Sequence, residues 1–407
     1  MHFILLGAGC PQRRVRQPQD QNQMREKLKV VRVVTASFVV PWHLHNTITR
    51  MPRDFDPIVV GQGVSAYRGD YPGVGFFDID IHRKHTMLAD LKALWALAAF
   101  LRVAKPDILH SIMPKAGLLS ALAGFVCRVP MRIHTFTGQT WVGRRGIARF
   151  VYWSVDRLIN ALNHVCLTDS PSQSAFLAQH KIMHRGRPLP VLSLGSLSGV
   201  DLARFNRPKL EAAAQAVRHE LNLGPGHFLF AYIARKTVEK GAVDMLRAFS
   251  KVVQANKFAY LLFLGPDEDG EIAHLHQSEP ALFENVLEVG PVGNHEDYLA
   301  ATDVLCAPSY REGFGSVVID AAALGVPTLG SRIPGFVEAI VESHTGLLFE
   351  AGDIRDLARL MLKVMEDAAL REILGRQAKQ RAEQYFSADT LYQALKDFYL
   401  QTQGRQA

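Results

Sequence analysis

From Val30 onward, short β-rich runs alternate with amphipathic helical stretches, and the alternation occurs twice with a break between. Such repetition marks βαβ units, which require parallel sheets covered by helices on both faces. The first set reads as strands at 30–38, 57–60, 75–81, 107–111, 132–136, 165–168 and 191–194, with helices at 86–104, 115–127, 147–163 and 172–180. Pro106 closes the first helix, and Ser172 after Pro171 is the expected N-cap of the last. Glycines, serines and a proline cluster at 195–208, which sets the domain boundary there. The second set reads as strands at 228–234, 260–264, 286–289, 303–307, 326–330 and 346–349, with helices at 210–221, 242–255, 296–301, 316–324 and 354–366 and two more to the C-terminus. The expected fold is therefore α/β: two doubly wound Rossmann-like domains, 28–198 and 199–386, facing across a cleft. A last helix over 387–407 is expected to pack back on the first domain. Ligands of open parallel sheets bind beyond the carboxyl ends of the strands, so the cleft is the expected site.

Composition narrows the partners. The formal charge of +7 over 407 residues hides a split. Residues 1–200 carry 25 Lys+Arg against 11 Asp+Glu, and residues 201–407 carry 21 against 28, giving +14 and −7. The basic residues are dispersed without an aromatic-interleaved stripe, so nucleic acid is not an expected partner. Four scattered cysteines fit neither a disulfide framework nor a CxxC metal site. His43/His45 and His82/His85 have no carboxylate or cysteine at ligand spacing, so no metal is expected. Residues 1–27, rich in Gln, Arg and Pro, read as a disordered leader, with Met24 a natural alternative start. No apolar run reaches the 18 residues a spanning helix needs, which points to a cytoplasmic protein.

The chemistry concentrates in two segments. In Ser309-Tyr310-Arg311-Glu312-Gly313-Phe314-Gly315-Ser316 a strand enters a two-glycine loop and a helix starts near Ser316. Free backbone N–H groups at such a start form an anion site, and glycine lets a phosphate come close. Asp320, eight residues after Glu312, lies two turns along, where a carboxylate can hold a sugar hydroxyl. The second segment, Tyr232 to Gly241, sets Arg235 at a strand's carboxyl end and Lys240 at the next helix start. Two cations there can neutralise a diphosphate without a metal, Arg bidentately and Lys as a point charge.

Arg235…Lys240-Gly241, Gly265-Pro266-Asp267, Glu312-Gly313-Phe314-Gly315 with Asp320, and Gly325-Val326-Pro327 fall in the order seen in retaining GT-B glycosyltransferases of family four. In the first half, Lys105-Pro106-Asp107, Pro114-Lys115-Ala116-Gly117, His134 to Gln139 and Gly195…Gly199-Val200-Asp201 resemble the branch that builds capsules, exopolysaccharides and O-antigens. The resemblance runs from about Val30 to the C-terminus. It implies that Arg235 and Lys240 grip the donor diphosphate, that Glu312 contacts the donor sugar, and that the backbone of Gly313, Phe314, Gly315, Ser316 and Val317 supports both. Asp320 would bind the ribose, although the family's usual residue is Glu. Val292 and Gly293 would lie against the base, with Gly265 also on the donor side. The implied donor is a nucleotide-diphosphate sugar, UDP-linked by preference, and the implied acceptor a saccharide or lipid-linked saccharide at the inner face of a membrane.

Many relatives place a histidine where this chain has Thr137, just before Gly138. His134 is therefore the candidate catalytic histidine, against the alternative of a packed strand residue, while His43, His110, Thr137, Gly138 and Lys115 are candidates for the acceptor side. Arg144, Arg145 and Arg149, with Trp141 and Trp153, form a cationic, aromatic-edged helix suited to anionic head groups or simply to solvent. Two rival readings remain: a GT-B sugar-nucleotide epimerase using the histidines as acid and base, and a catalytically degenerate nucleotide-sugar-binding scaffold.

Overall fold

The computed structural model describes residues 27–82, 86–268 and 270–404. The leader expected over 1–27 falls outside them except for Lys27, as does His85.

The first half forms β1 (Leu28–Ala36), β2 (Phe55–Gln62), β3 (Gly75–Asp78), β4 (Ile108–Ile112), β5 (Met131–Phe136) and β6 (Val165–Thr168). All pair in parallel in the order β3-β2-β1-β4-β5-β6, the doubly wound arrangement. Its helices are α1 (His45–Ile48), α2 (Met87–Ala104), α3 (Pro114–Val126), α4 (Gly146–Leu162) and α5 (Pro171–Gln179). The second half forms β7 (Phe228–Ile233), β8 (Ala259–Leu264), β9 (Val286–Val289), β10 (Val304–Ala307), β11 (Thr328–Ser331) and β12 (Gly346–Phe349). Its order, β12-β11-β10-β7-β8-β9, is the same winding again. The helices are α6 (Arg207–Glu220), α7 (Ala242–Ala255), α8 (Glu271–Ser278), α9 (His295–Ala301), α10 (Ser316–Ala323), α11 (Phe336–Ala339), α12 (Ile354–Glu366), α13 (Ala368–Tyr385) and α14 (Ala388–Thr402).

Continuous apolar strands explain both sheets. Val30, Val31, Val33 and Val34 of β1 are fully buried, as a strand covered on both faces must be, and Leu229 to Ala231 of β7 repeat the pattern. The chain returns to the first domain at its end. Phe386 stays in the second core, its carbonyl accepts from Val200 N, and α14 then lays Tyr392, Leu395 and Tyr399 on the first sheet.

Two local expectations are corrected. No strand forms at 191–194, where Val191 makes a single bridge to Thr168; Pro190 precedes it and Ser193 turns left-handed at φ 52°. The α5 N-cap is Ser170, which accepts from Gln173 N, because Pro171 occupies the first helical position; Ser172 binds Glu338 instead. The short helices α1, α8 and α11 also escape the sequence periodicity, because one or two turns show too little of it.

Candidate active site

A cavity of about 640 Å³ lies between the domains, beyond the carboxyl ends of both sheets. From the second domain, Arg235 follows β7, Lys240 precedes α7, and Glu312 to Ser316 join β10 to α10. Lys240 Nζ lies 2.7 Å from Glu312, which also accepts from Ser309 Oγ at 3.0 Å. Arg235 is paired with Glu268 at 2.7 Å. The α10 N-terminus opens on the cavity. Gly315, at φ 88°, sits so close to the Phe336 ring that a Cβ would collide with it. The chain can therefore turn into α10 here only without a side chain, and the turn exposes the first N–H groups of the helix.

Asp320 lines the cavity one turn into α10, with His295 Nε2 3.5 Å away. Burial raises the Asp320 carboxyl above the ordinary range, and His295 opposes that shift. Val292 and Gly293 line the neighbouring wall, and Gly265 ends β8 beside them. Thus the donor-side residues expected from sequence, namely Arg235, Lys240, Gly265, Val292, Glu312, Gly313, Phe314, Gly315, Ser316, Val317 and Asp320, all border one cavity. His43, Thr137 and Gly138 reach it from the first domain.

His134, His110 and Lys115 do not line this cavity, which corrects three expected site residues. His134 points to the opposite side of its strand, where Nδ1 meets Ser111 Oγ at 3.0 Å and the ring lies so close to Gly117 that a Cβ there would clash. Burial lowers it to about 3, so it stays neutral. His110 is held between Tyr399 Oη at 2.6 Å and Thr135 Oγ1 at 2.8 Å, and burial lowers it too. Lys115 turns sideways to an ion pair with Asp90 of α2 at 2.6 Å. Alternation along a strand decides which face a residue takes, and one residue of register sends a histidine into the core.

Residues that sequence reasoning overlooked complete the cleft. Arg311 donates to the Gly138 carbonyl at 2.7 Å and pairs with Glu239 at 2.7 Å, tying the domains together beside the glycine loop. Arg204 binds Glu296 through two nitrogens, at 2.8 and 2.6 Å, and reaches the Gly293 carbonyl, fixing the loop that carries Val292. Asp169, just after β6, is buried on the cavity wall. Arg311 stood inside a motif already singled out, whereas Arg204 and Asp169 sit in segments that read as linker and cap. Among the described residues, no three His, Cys, Asp or Glu side chains converge as a metal site.

On α4, Ile147 is 84% exposed and Phe150 63%, beside the exposed arginines 144, 145 and 149. Both tryptophans expected beside that face adjoin it: the Arg149 guanidinium lies 5.9 Å from the Trp141 ring centre, and the Phe150 ring lies 5.8 Å from that of Trp153. Trp141 is buried with Nε1 donating to Asp156, and Trp153 Nε1 donates to the His180 carbonyl. Among the described residues no helix is long and apolar enough to cross a membrane.

Two family models match the chain, one for a glycosyl transferase 4-like domain over residues 10–191 and one for glycosyl transferases group 1 over 214–381. The chain belongs to the family-four glycosyltransferases of the GT-B fold. It is 26% identical over 386 residues to the capsular polysaccharide biosynthesis glycosyltransferase CapM of Staphylococcus aureus, covering 91% of this chain and 96% of the relative. It is 23% identical to an Escherichia coli UDP-Gal:α-D-GlcNAc-diphosphoundecaprenol α-1,3-galactosyltransferase, covering 80% and 83%. The Anabaena HepE structure with UDP and glucose superposes with a TM-score of 0.77 at 17% identity, covering 91% of this chain and 99% of the other, a likeness of fold.

Proposed function

We propose that this glycosyltransferase moves a sugar from a nucleotide-diphosphate donor, UDP-linked by preference, to a lipid-linked or saccharide acceptor in bacterial surface polysaccharide synthesis, retaining the anomeric configuration. The observation that carries the reading is the Lys240–Glu312 pair at the mouth of the α10 helix terminus, with Arg235 beside it. The UDP-bound HepE structure and the UDP-galactose enzyme among the relatives support the choice of nucleotide.

Glycosyl transfer separates charge between a departing diphosphate and an oxocarbenium-like sugar, so the largest help is fixed positive charge where the phosphate leaves. Lys240, Arg235 and the α10 N–H groups would provide it, and no metal is required. Glu312, already neutralised by Lys240, would hold a sugar hydroxyl and orient the anomeric carbon. Asp320 would take the ribose, and the loop fixed by Arg204 would face the base. Attack by the acceptor hydroxyl on the leaving-group face keeps the configuration, and alignment across the cleft lowers its entropic barrier.

An epimerase would need an acid and a base near the sugar's C2. His110 and His134 are locked in the first sheet, which disfavours that reading. The α4 face, with Ile147, Phe150 and Val151 beside three arginines, suits the inner leaflet of a membrane, where a lipid-linked acceptor would lie.

The test is a thermal-shift screen of UDP-, GDP-, ADP- and dTDP-sugars, followed by product analysis with a lipid-diphosphate-linked acceptor. Acceptor-dependent release of UDP with an α-linked product from an α-linked donor is expected. Nucleotide release without an acceptor product would overturn transfer in favour of an epimerase or hydrolase, and binding without turnover would overturn it in favour of a scaffold.

A further inference from the structure

Among the described residues, several buried side-chain polar atoms lack a hydrogen-bond partner. Two of them, His43 Nδ1 and Asp169 Oδ1, belong to residues that line the cleft. Folded proteins rarely leave such atoms unsatisfied unless a ligand or water completes them, because each costs about 1–3 kcal/mol. Both come from the first domain, His43 from the turn after β1 and Asp169 from the turn after β6. Both face the same place on the second domain. A Cβ on Gly313 would strike the Asp169 carboxyl, and Glu312 and Lys240 are the charges that His43 feels most.

From this geometry we propose that Asp169 and His43 bind hydroxyls of the transferred sugar from the side opposite Glu312, and that they select an uncharged sugar over a uronate. The proposal rests on the reading that the cleft holds a nucleotide sugar.

The hydrogen-bonding capacities match. Asp169 is buried; burial first, then the charges of Glu312 and Glu338, raise its pKa well above the ordinary carboxyl value. The protonated form is thereby favoured, and it can donate to a hydroxyl oxygen through one oxygen while accepting through the other. His43 is lowered to about 4, by burial above all and by Lys240, against the opposing pull of Glu312; its neutral ring gives one donor and one acceptor nitrogen. A sugar hydroxyl satisfies either. A carboxylate on the sugar would instead approach the charge of Glu312, and neither a neutral Asp169 nor a neutral His43 offers it a positive charge. Gly313 is then glycine for a second reason: any side chain there would fill the space Asp169 needs.

The experiment measures kcat/KM for Asp169→Ala, Asp169→Asn and His43→Ala with UDP-glucose, UDP-galactose, UDP-N-acetylglucosamine and UDP-glucuronate, and affinity for free UDP by calorimetry. For the best donor the Ala variants should lose roughly 10- to 100-fold in kcat/KM, Asp169→Asn less, while UDP affinity stays within about twofold. A monodeoxyfluoro donor lacking the contacted hydroxyl should abolish the difference between wild type and Asp169→Ala, which a merely structural role would not do. Wild-type rates in both Ala variants, equal losses for UDP and for UDP-sugar, or a preference for UDP-glucuronate would overturn the assignment. A wild type that turns over no nucleotide sugar at all would remove the donor-site reading itself.

Discussion

Single side chains decide much of this cleft by the face they take. Glycine spacing and the order of cations made Arg235, Lys240, Glu312 and Asp320 legible, because a phosphate site needs those types at strand ends and helix starts. His110 and His134 carry the same chemical labels in the sequence, yet pack on opposite sides of one sheet. Nothing local separates a core histidine from a cleft histidine when both follow apolar residues. Asp169 was hidden for another reason. It lies in the short connection between a strand and a helix, with Ser172 the expected N-cap, and nothing local marks it as facing the cleft. A further buried acid, Asp156, receives the Trp141 indole N–H at 2.8 Å and is pushed up to about 7 by burial, which outweighs that bond. Its folded-state pKa lies above the unfolded value, so the stabilisation is fully present below about pH 4 and lost as pH rises through 7. Asp156→Asn should therefore remove a loss on the order of 2 kcal/mol between pH 5 and 8. Denaturant unfolding at both pH values measures it, and parallel pH slopes for variant and wild type would contradict the account.

At the level of elements, the two halves repeat one winding, and the strands' unbroken Val, Leu and Phe content announced it. The ends of elements were less legible, since caps and short turns depend on contacts beyond the segment. The closing helix α14 shows how a distant element is fixed. Tyr399 Oη is shared by His110 at 2.6 Å and Arg32 at 3.3 Å, and its ring meets Phe55 edge-on. Outside that core, Lys396 pairs with Asp54 at 2.8 Å and Arg50 with Asp389 at 2.7 Å, both partly exposed and worth little alone. The expectation is that Tyr399→Phe costs about 1–3 kcal/mol by leaving a buried histidine and arginine short of a partner. Thermal unfolding reads this directly; an unchanged Tm would mean that α14 is held by its apolar face alone.

Across the whole molecule, the proposed diphosphate site and the proposed membrane-facing helix fall in different halves, as the charge does. The half with net −7 brings its own cations to one point, Lys240 and Arg235, so diphosphate binding owes nothing to bulk charge. The +14 half carries the α4 face, whose exposed Ile147 and Phe150 strengthen the case for a membrane beyond what the arginines alone could make. Charge reversal of Arg144, Arg145 and Arg149 to Glu should abolish co-sedimentation with anionic liposomes while leaving transfer to a soluble acceptor analogue intact. Equal binding to neutral and anionic vesicles would refute that face as the docking surface. Among the described residues, polar contacts between the domains include Arg311 to the Gly138 carbonyl, Ser172 to Glu338, and Asn46 to the Gly199 carbonyl. Such contacts can part and re-form as donor and acceptor enter.

Fixed positive charge at the cleft is proposed to stabilise a departing nucleoside diphosphate. Acceptor-dependent turnover of Lys240→Ala and Arg235→Ala tests that role, with circular dichroism and Tm confirming that both variants fold. In each, kcat should fall by about 100-fold or more. Near-normal transfer rates in both would rule the role out.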